Sequence, residues 1–146
     1  MDFQDCIKFA SENPQCYLAT TEAGQPRVRP LKLWFAGEKG FYFQTQAVKA
    51  LYKQLKNNRK VEVCFYRPDP NLSTGKAMRV AGEVEFIDDI ALKARVLEDR
   101  PFLKEEYGVK SPEDPMLVVF QIHTGEAFFW TREYSMRESE IERIRF

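Results

Sequence analysis

Two stretches whose side chains alternate between opposite faces constrain the fold of this chain most strongly. Residues 27–35 and 77–87 both have the period of two that extended β-strands show. Gly24 and Gly40 lie in turn-like segments beside the first of them. The other predicted strands are 17–21, 41–43, 61–66, 116–122 and 127–131. Six or seven strands joined mostly by short turns predict a small, mainly β antiparallel barrel.

Helical spacing of apolar residues predicts two to three helices at the outside or ends of this barrel. They cover residues 2–13, 46–58 and 88–100, and a further short helix is expected within 101–115. Thr45 is the expected N-cap of the second helix, which would place Lys49 in its first or second turn. The tail 135–146 is left unassigned, with Ile141, Ile144 and Phe146 as its apolar anchors.

The length and composition indicate one domain, covering residues 1–146. The absence of a signal-peptide pattern and of any long apolar run predicts a cytoplasmic protein without a membrane partner. Three cysteines without a Cys-x-x-Cys spacing are expected to be free thiols.

Positive charge is concentrated in one part of an otherwise neutral chain. Residues 26–60 contain nine basic residues and a single acid, Glu38, so their net charge is +8. A basic segment in a neutral protein suits a small anionic ligand better than nucleic acid, which usually needs an overall basic domain. A solvated cationic face explains the same charges, and charge alone favours that explanation.

Most catalytic signatures are absent from the sequence. His123 is the only histidine, and no Gly-x-Ser-x-Gly turn accompanies it. One histidine and three scattered cysteines give no zinc spacing, and the glycines form no dinucleotide or P-loop fingerprint. No catalytic residue and no metal site are therefore predicted.

Lys49 remains as the most informative position. A cation near the start of a helix opposes the helix dipole, and residues 41–60 contain no acid to compensate it. A phosphate held by the helix N-terminus, Thr45 and Lys49 would remove this conflict, and Arg29 on the adjacent strand could add a bidentate contact. A surface lysine on a marginal helix explains the residues equally well. Pro30 indicates either an edge strand or an interrupted ladder with free backbone groups.

The order of these segments resembles the FMN-binding split-barrel family around pyridoxamine 5′-phosphate oxidase. Within that family it is most similar to the short nitroimidazole-resistance, nitroreductase-like proteins. The resemblance covers roughly residues 3–131. It rests on Lys49 and on the runs CYLATT (16–21), QPRVRPL (25–31), FYFQT (41–45), LKNN (55–58), VEV (61–63) and RVAGEVE (79–85).

The resemblance implies a six-stranded Greek-key split barrel with flanking helices. It also implies a homodimer that binds FMN at the subunit interface, and an oxidoreductase acting on a small, nitroaromatic-type substrate with electrons from NAD(P)H. The residues implied to bind FMN are Arg29, Pro30, Leu31, Lys32, Phe43, Gln44, Thr45 and Lys49. Trp130 could close the site from the partner chain, although an ordinary core or interface tryptophan fits the sequence equally well.

The chain also departs from the family pattern. It ends without the arginine-containing motif of true pyridoxamine phosphate oxidases, so pyridoxamine phosphate is not the expected substrate. Gln46 to Val48 lack the serine and extra arginine that the oxidases place before the lysine. The alternatives are a non-catalytic flavin- or haem-binding module and a deazaflavin-dependent reductase on the same barrel.

Overall fold

The computed structural model describes residues 1–71 and 73–146, and antiparallel strand pairing dominates it. The described residues form eight strands and four α-helices, the last of them a single turn. The strands are β1 (Gln15–Glu22), β2 (Gln25–Lys32), β3 (Phe35–Gly37), β4 (Gly40–Gln46), β5 (Lys60–Arg67), β6 (Lys76–Ile87), β7 (Leu117–Thr131) and β8 (Ile144–Arg145). The helices are α1 (Phe3–Glu12), α2 (Ala50–Asn57), α3 (Ile90–Asp99) and α4 (Phe102–Glu105).

The strands form one sheet in the order β2-β1-β5-β6-β7-β4-β3, with β8 added to β7. Every pair is antiparallel, and the non-consecutive neighbours β1–β5 and β4–β7 carry the chain across the sheet. This mainly β architecture with flanking helices agrees with the predicted barrel, but the expected six strands are eight. β2 lies at one end of the order, so Pro30 is on an edge strand, as one of its two interpretations required.

The strand count differs because of pairings that are not visible locally. The predicted strands 116–122 and 127–131 are one strand, β7, which continues past a bulge opposite Gly82 and Val84. Gly82 permits this close approach, since a Cβ there would lie 2.6 Å from the Thr124 carbonyl oxygen. Two short strands were not predicted: β3, which pairs with β4, and β8 in the tail.

The second predicted helix is shorter than expected, and its N-cap is a different residue. α2 begins at Ala50 rather than residue 46, and its N-cap is Lys49 instead of Thr45. Thr45 and Gln46 instead extend β4, where they pair with Val118 and Leu117 of β7. Lys49 therefore precedes the first turn of α2, and the prediction that it lies in the first or second turn is wrong.

Two apolar clusters hold the elements together. The larger fills the interior of the sheet and includes Phe41, Phe43, Phe65 and Phe120. The smaller one packs α3 and α4 against the outer side of the first half of β7. The tail closes the larger cluster, with Ile141 and Ile144 buried and the Phe146 ring stacked 4.6 Å from that of Phe3.

Among residues 1–71 and 73–146, no helix is long and apolar enough to cross a membrane. All three cysteines are free thiols, and burial raises the pKa of Cys6 and Cys16 to about 12.

Candidate functional site

The junction between β4 and α2 contains polar side chains that the fold itself does not satisfy. β3 pairs with β4 only as far as Tyr42, so the edge of β4 that faces β3 is open over residues 43–46. Thr45 is 1% exposed and Gln46 3% exposed, yet the Thr45 Oγ1 and the Gln46 Oε1 have no hydrogen-bond partner. A buried polar atom without a partner costs about 1–3 kcal/mol. These atoms are therefore candidates for contact with a bound molecule.

A cavity of about 290 Å³ opens beside this junction. It is lined by Gln46, Val48, Lys49, Tyr107 and Met116. The Gln46 Nε2 donates to the Gln44 Oε1 over 2.7 Å, which fixes the side chain that carries the unpaired oxygen. The cavity thus brings the polar side chain of Gln46 together with a cation and an aromatic wall.

Lys49 supplies the cation at the start of α2. As the N-cap it makes no side-chain capping bond, and the first turn of α2 contains no acid. Its ammonium lies 5.5 Å from the centre of the Tyr107 ring. The positive end of the helix therefore has no counter-ion from α2, and an anion there would complement both the helix and Lys49.

Arg29 lies against the middle of α2, in a polar network that joins β1, β2 and the helix. Its Nη1 donates to the Thr20 Oγ1 over 2.7 Å, and its Nη2 donates to the Gln54 Oε1 over 2.5 Å. The Thr20 hydroxyl donates to the same Gln54 oxygen over 2.6 Å. Burial lowers the pKa of the Arg29 guanidinium, while Glu22 opposes that shift. Arg29 and Lys49 thus both lie at α2, but Arg29 contacts Thr20 and Gln54 whereas Lys49 contacts Tyr107.

The predicted segment from Pro30 to Lys32 forms the last part of β2. Leu31 packs on the larger core cluster, while Pro30 and Lys32 are exposed. Lys32 lines a cleft of about 510 Å³, together with Leu33, Trp34 and residues 99–102. Arg100 donates to the carbonyl oxygens of Lys32 and Leu33 over 3.1 and 3.0 Å. These acceptors are therefore already engaged by the protein itself.

Phe43 and Trp130 stand apart from these groups. The Phe43 ring is fully buried and stacks 5.3 Å from the Phe120 ring, so only its backbone on the open edge of β4 could contact a ligand. Trp130 lies on β7, which three strands separate from β2 in the sheet order. A single chain does not bring Trp130 to the Arg29 segment along the sheet.

The outer face of the sheet carries exposed aromatic and apolar side chains. Tyr17 is 52% exposed, Val28 69% and Tyr66 40%. Directly paired residues share a face, and the pairings Tyr66–Ala77 and Ala77–Trp130 place Trp130 on this side as well. Apolar surface of this kind marks contact sites with other molecules.

Three residues of the candidate site are not among the site residues that the sequence predicts: Gln46, Gln54 and Tyr107. Gln54 could have been noticed, because it is polar and lies three residues after the core residue Leu51, on the buried side of α2. Gln46 and Tyr107 carry no such signal, since tertiary packing alone brings them together. In the described part of the chain, no group of three or more potential metal ligands clusters in space.

A family model described as pyridoxamine 5′-phosphate oxidase matches residues 4–131. Among solved structures, a NimC/NimA family protein from Clostridium acetobutylicum is 29% identical, with 98% of this chain and 92% of that chain covered and a TM-score of 0.75. An FAD-binding protein from Mesorhizobium loti is 18% identical, with coverage of 84% and 90% and a TM-score of 0.63.

The haem storage protein HutZ from Vibrio cholerae is 15% identical, with coverage of 90% and 95% and a TM-score of 0.64. At these identities the last two structures show a shared fold alone. A comparison with curated proteins finds no match. The family match covers most of the sequence, and the chain belongs to the pyridoxamine 5′-phosphate oxidase family.

Proposed function

We propose that this protein is an FMN-binding oxidoreductase, which acts on a small substrate of the nitroaromatic type with electrons from NAD(P)H. The observation that carries the proposal is the β4–α2 junction, where the buried Thr45 and Gln46 side chains each have an oxygen without a partner and Gln46 lines a cavity with the uncompensated Lys49. Family membership, and the fold shared with an FAD-binding protein, support a flavin as the ligand. The nitroaromatic class comes from the subgroup resemblance of the sequence, with which the similarity to a NimC/NimA family protein agrees.

The chemistry of the junction fits FMN. Lys49 and the first amides of α2 would hold the phosphate. The Thr45 hydroxyl and the side-chain oxygen of Gln46 would hydrogen-bond the ribityl tail or the edge of the flavin ring. Gln44 and the open backbone edge at Phe43 would line the flavin ring. When bound, the flavin would supply hydride or electron transfer, and the protein would supply binding and orientation. Because the flavin would carry the redox chemistry, the protein itself would need no catalytic dyad.

Arg29, which packs against the middle of α2, would contact the phosphate of the bound flavin. Its Nε has no protein acceptor in the described structure, and Nη2 makes one of its two possible hydrogen bonds. The guanidinium can therefore add a contact to a phosphate while Thr20 and Gln54 hold it in place. The next residues of the edge strand β2, Pro30 to Lys32, would continue the flavin-binding surface that begins at Arg29.

The site is completed by a second copy of the chain. Trp130 is separated from the Arg29 segment within one chain, but it shares the outer face with exposed Tyr17 and Tyr66. Two such faces packed together would cover the aromatic side chains and bring Trp130 towards the flavin of the partner. Light scattering of the purified protein should give twice the chain mass, and a monomer at micromolar concentration would contradict this part of the proposal.

The first experiment is the visible absorbance of the freshly purified protein, followed by mass spectrometry of the molecule that heat releases. A flavin spectrum with the mass of FMN is expected. A deazaflavin gives a different spectrum and mass, and either that result or a colourless protein that does not bind added FMN would contradict the cofactor assignment.

A second experiment tests the phosphate contact itself. Hydrogen bonds to charged groups contribute about 1.5–3 kcal/mol, and the exposure of Lys49 places it at the low end of this range. Lys49→Ala should therefore raise the Kd for FMN about 10-fold. The Kd for riboflavin, which lacks the phosphate, should not change. Lys53→Ala is the matched control, because it removes an exposed lysine from the same helix; an equal effect of both variants would indicate bulk charge only.

Turnover is tested by NAD(P)H oxidation with a nitroaromatic acceptor and the FMN-loaded protein. Acceptor-dependent oxidation that Lys49→Ala reduces at subsaturating FMN is expected. Pyridoxamine 5′-phosphate should not be oxidised under the same conditions. FMN binding without any turnover would favour a carrier instead of an enzyme.

The fold shared with HutZ raises haem binding as a second candidate. The single histidine offers at most one imidazole ligand. The His123 Nδ1 hydrogen-bonds the Lys39 carbonyl oxygen over 2.8 Å, which leaves Nε2 free on an exposed side chain. A haem-type absorbance band that His123→Ala abolishes would establish this alternative.

A further inference from the structure

A second charged site lies away from the β4–α2 junction, where the hairpin between β5 and β6 begins. Arg67 and Lys76 are directly opposite each other in the ladder. Like charges in this position destabilise a sheet. Within residues 1–71 and 73–146, neither cation has a carboxylate within the 4.0 Å of an ion pair. The fold therefore leaves this repulsive pair without a direct ion pair, and the Asp5 carboxylate acts on Lys76 only at longer range.

Aromatic rings form the floor of this site. The Lys76 ammonium lies 4.4 Å from the centre of the Phe129 ring and 5.7 Å from that of Phe9. The Arg67 guanidinium lies 5.9 Å from the centre of the Phe9 ring. Burial, followed by the charge of Arg67, lowers the pKa of Lys76. Lys76 is thus partly desolvated over this pair of phenylalanines, which strengthens its attraction for an anion, and the exposed Arg67 guanidinium lies beside it.

Two adjoining cavities flank Lys76. The larger, of about 330 Å³, has Phe129, Ile141, Ile144 and Met1 among its walls. The smaller cavity, of about 180 Å³, is lined by Arg67, Lys76, Phe9 and Phe129 and by polar residues of α1. The larger volume is within the range of small-molecule sites, and its walls are mainly apolar.

We propose that this groove binds a small carboxylate with an apolar ring or branched body. The carboxylate would lie between the Arg67 guanidinium and the Lys76 ammonium, and the apolar body would fill the larger cavity against Phe129, Ile141 and Ile144. This site is separate from the β4–α2 junction, and it requires no flavin.

The other charged groups around the groove define its selectivity. Lys8, Asp5 and Glu12 line the smaller cavity from α1, and Glu133 and Glu142 line the larger one. The four carboxylates among these groups are on exposed residues, where water screens their charge. They oppose a highly charged anion more than a singly charged one, which favours a monocarboxylate over a phosphate.

The probe for this site is 2-naphthoate, added to the protein as purified with whatever cofactor it retains. Methyl NMR of the isoleucine side chains shows where on the protein 2-naphthoate binds. The Ile141 and Ile144 methyl signals should shift with saturation, and the signal of Ile90, exposed on α3, should not. Acetate lacks the apolar body and 2-naphthol lacks the charge at neutral pH, so both should bind at least 10-fold more weakly.

Two variants test the cation pair. Lys76→Met keeps the aliphatic stem without the charge, and Arg67→Gln keeps a polar side chain. Each should raise the Kd for 2-naphthoate about 10-fold, while Glu142→Gln should lower it. Lys60→Met, at the opposite end of β5, is the control and should leave the Kd unchanged.

Three results would overturn the proposal: no shift at Ile141 and Ile144, equal binding of 2-naphthol, or no effect of either cation variant. Binding of 2-naphthoate should persist in the Lys49→Ala protein. The outcome is therefore independent of the flavin proposal.

Discussion

Replacement of Thr45 by valine separates the folding role of this residue from its proposed role in binding. The side chain is 1% exposed, and its Oγ1 has no partner. Valine has nearly the same shape and a similar preference for strands. The substitution therefore mainly removes a buried, unpaired hydroxyl that costs about 1–3 kcal/mol. The cofactor-free Thr45→Val protein should be about 1–2 kcal/mol more stable than the parent.

This gain can be measured by urea unfolding and by thermal melting of the cofactor-free protein. For a domain of this size, each kcal/mol corresponds to about 2–4 °C in Tm, so a rise of about 2–8 °C is expected. Thr21→Val is the matched control, because Thr21 lies on β1 and is only partly buried. Its effect should stay within about 0.5 kcal/mol.

Adding FMN should shrink the advantage of the variant. At an FMN concentration of 100 Kd, the parent gains about 2.7 kcal/mol from binding, whereas a variant that binds 10-fold more weakly gains about 1.4 kcal/mol. The stability difference should therefore fall by about 1.3 kcal/mol. A loss of stability without FMN would show that the hydroxyl is satisfied within the protein. A gain that FMN leaves undiminished would show that the hydroxyl does not contact the cofactor.

Two further predictions concern buried polar groups. Gln54→Leu removes an acceptor of Arg29 and should lower the free energy of unfolding by about 2–4 kcal/mol. The same change at exposed Gln4 in α1 should have little effect in urea unfolding, and equal losses would contradict the network. The pKa of Cys6 and Cys16 is raised to about 12, whereas unfolded thiols titrate near 9.0. The folded state then binds the extra protons, so stability should fall as pH rises from 9 to 12, with Cys16→Ala reducing the slope by about 1.4 kcal/mol per pH unit. An unchanged slope in alkaline urea titrations would contradict this.

Features that depend on local spacing were predictable from the sequence. The α1 helix was found because Cys6 and Ala10 repeat on its buried side. The edge position of β2 is one of the two interpretations of Pro30, since a proline cannot donate to a neighbouring strand. The basic character of the junction was likewise visible in the charge distribution.

Features that depend on distant pairing were not predictable in this way. Thr45 has the chemistry of an N-cap, and nothing nearby shows that Val118 will pair with it and extend β4. The same holds for β8, whose two residues become a strand only because β7 lies beside them. Local propensity therefore located the six longer strands, missed β3 and β8, and misplaced the beginning of α2.

The distribution of buried polar side chains connects the fold with the proposed site. Within the described residues, the polar side chains in the buried class are Thr20, Thr45, Gln46, Gln54 and Gln121. All except Gln121 lie along α2 or at its start, where two of them hold Arg29 and two have atoms without partners. A chain selected for stability alone would place apolar side chains at such positions, because each unpaired atom costs free energy. Since this cost is concentrated at a junction that also has an uncompensated cation, a ligand that supplies both an anion and hydrogen-bonding groups would explain it.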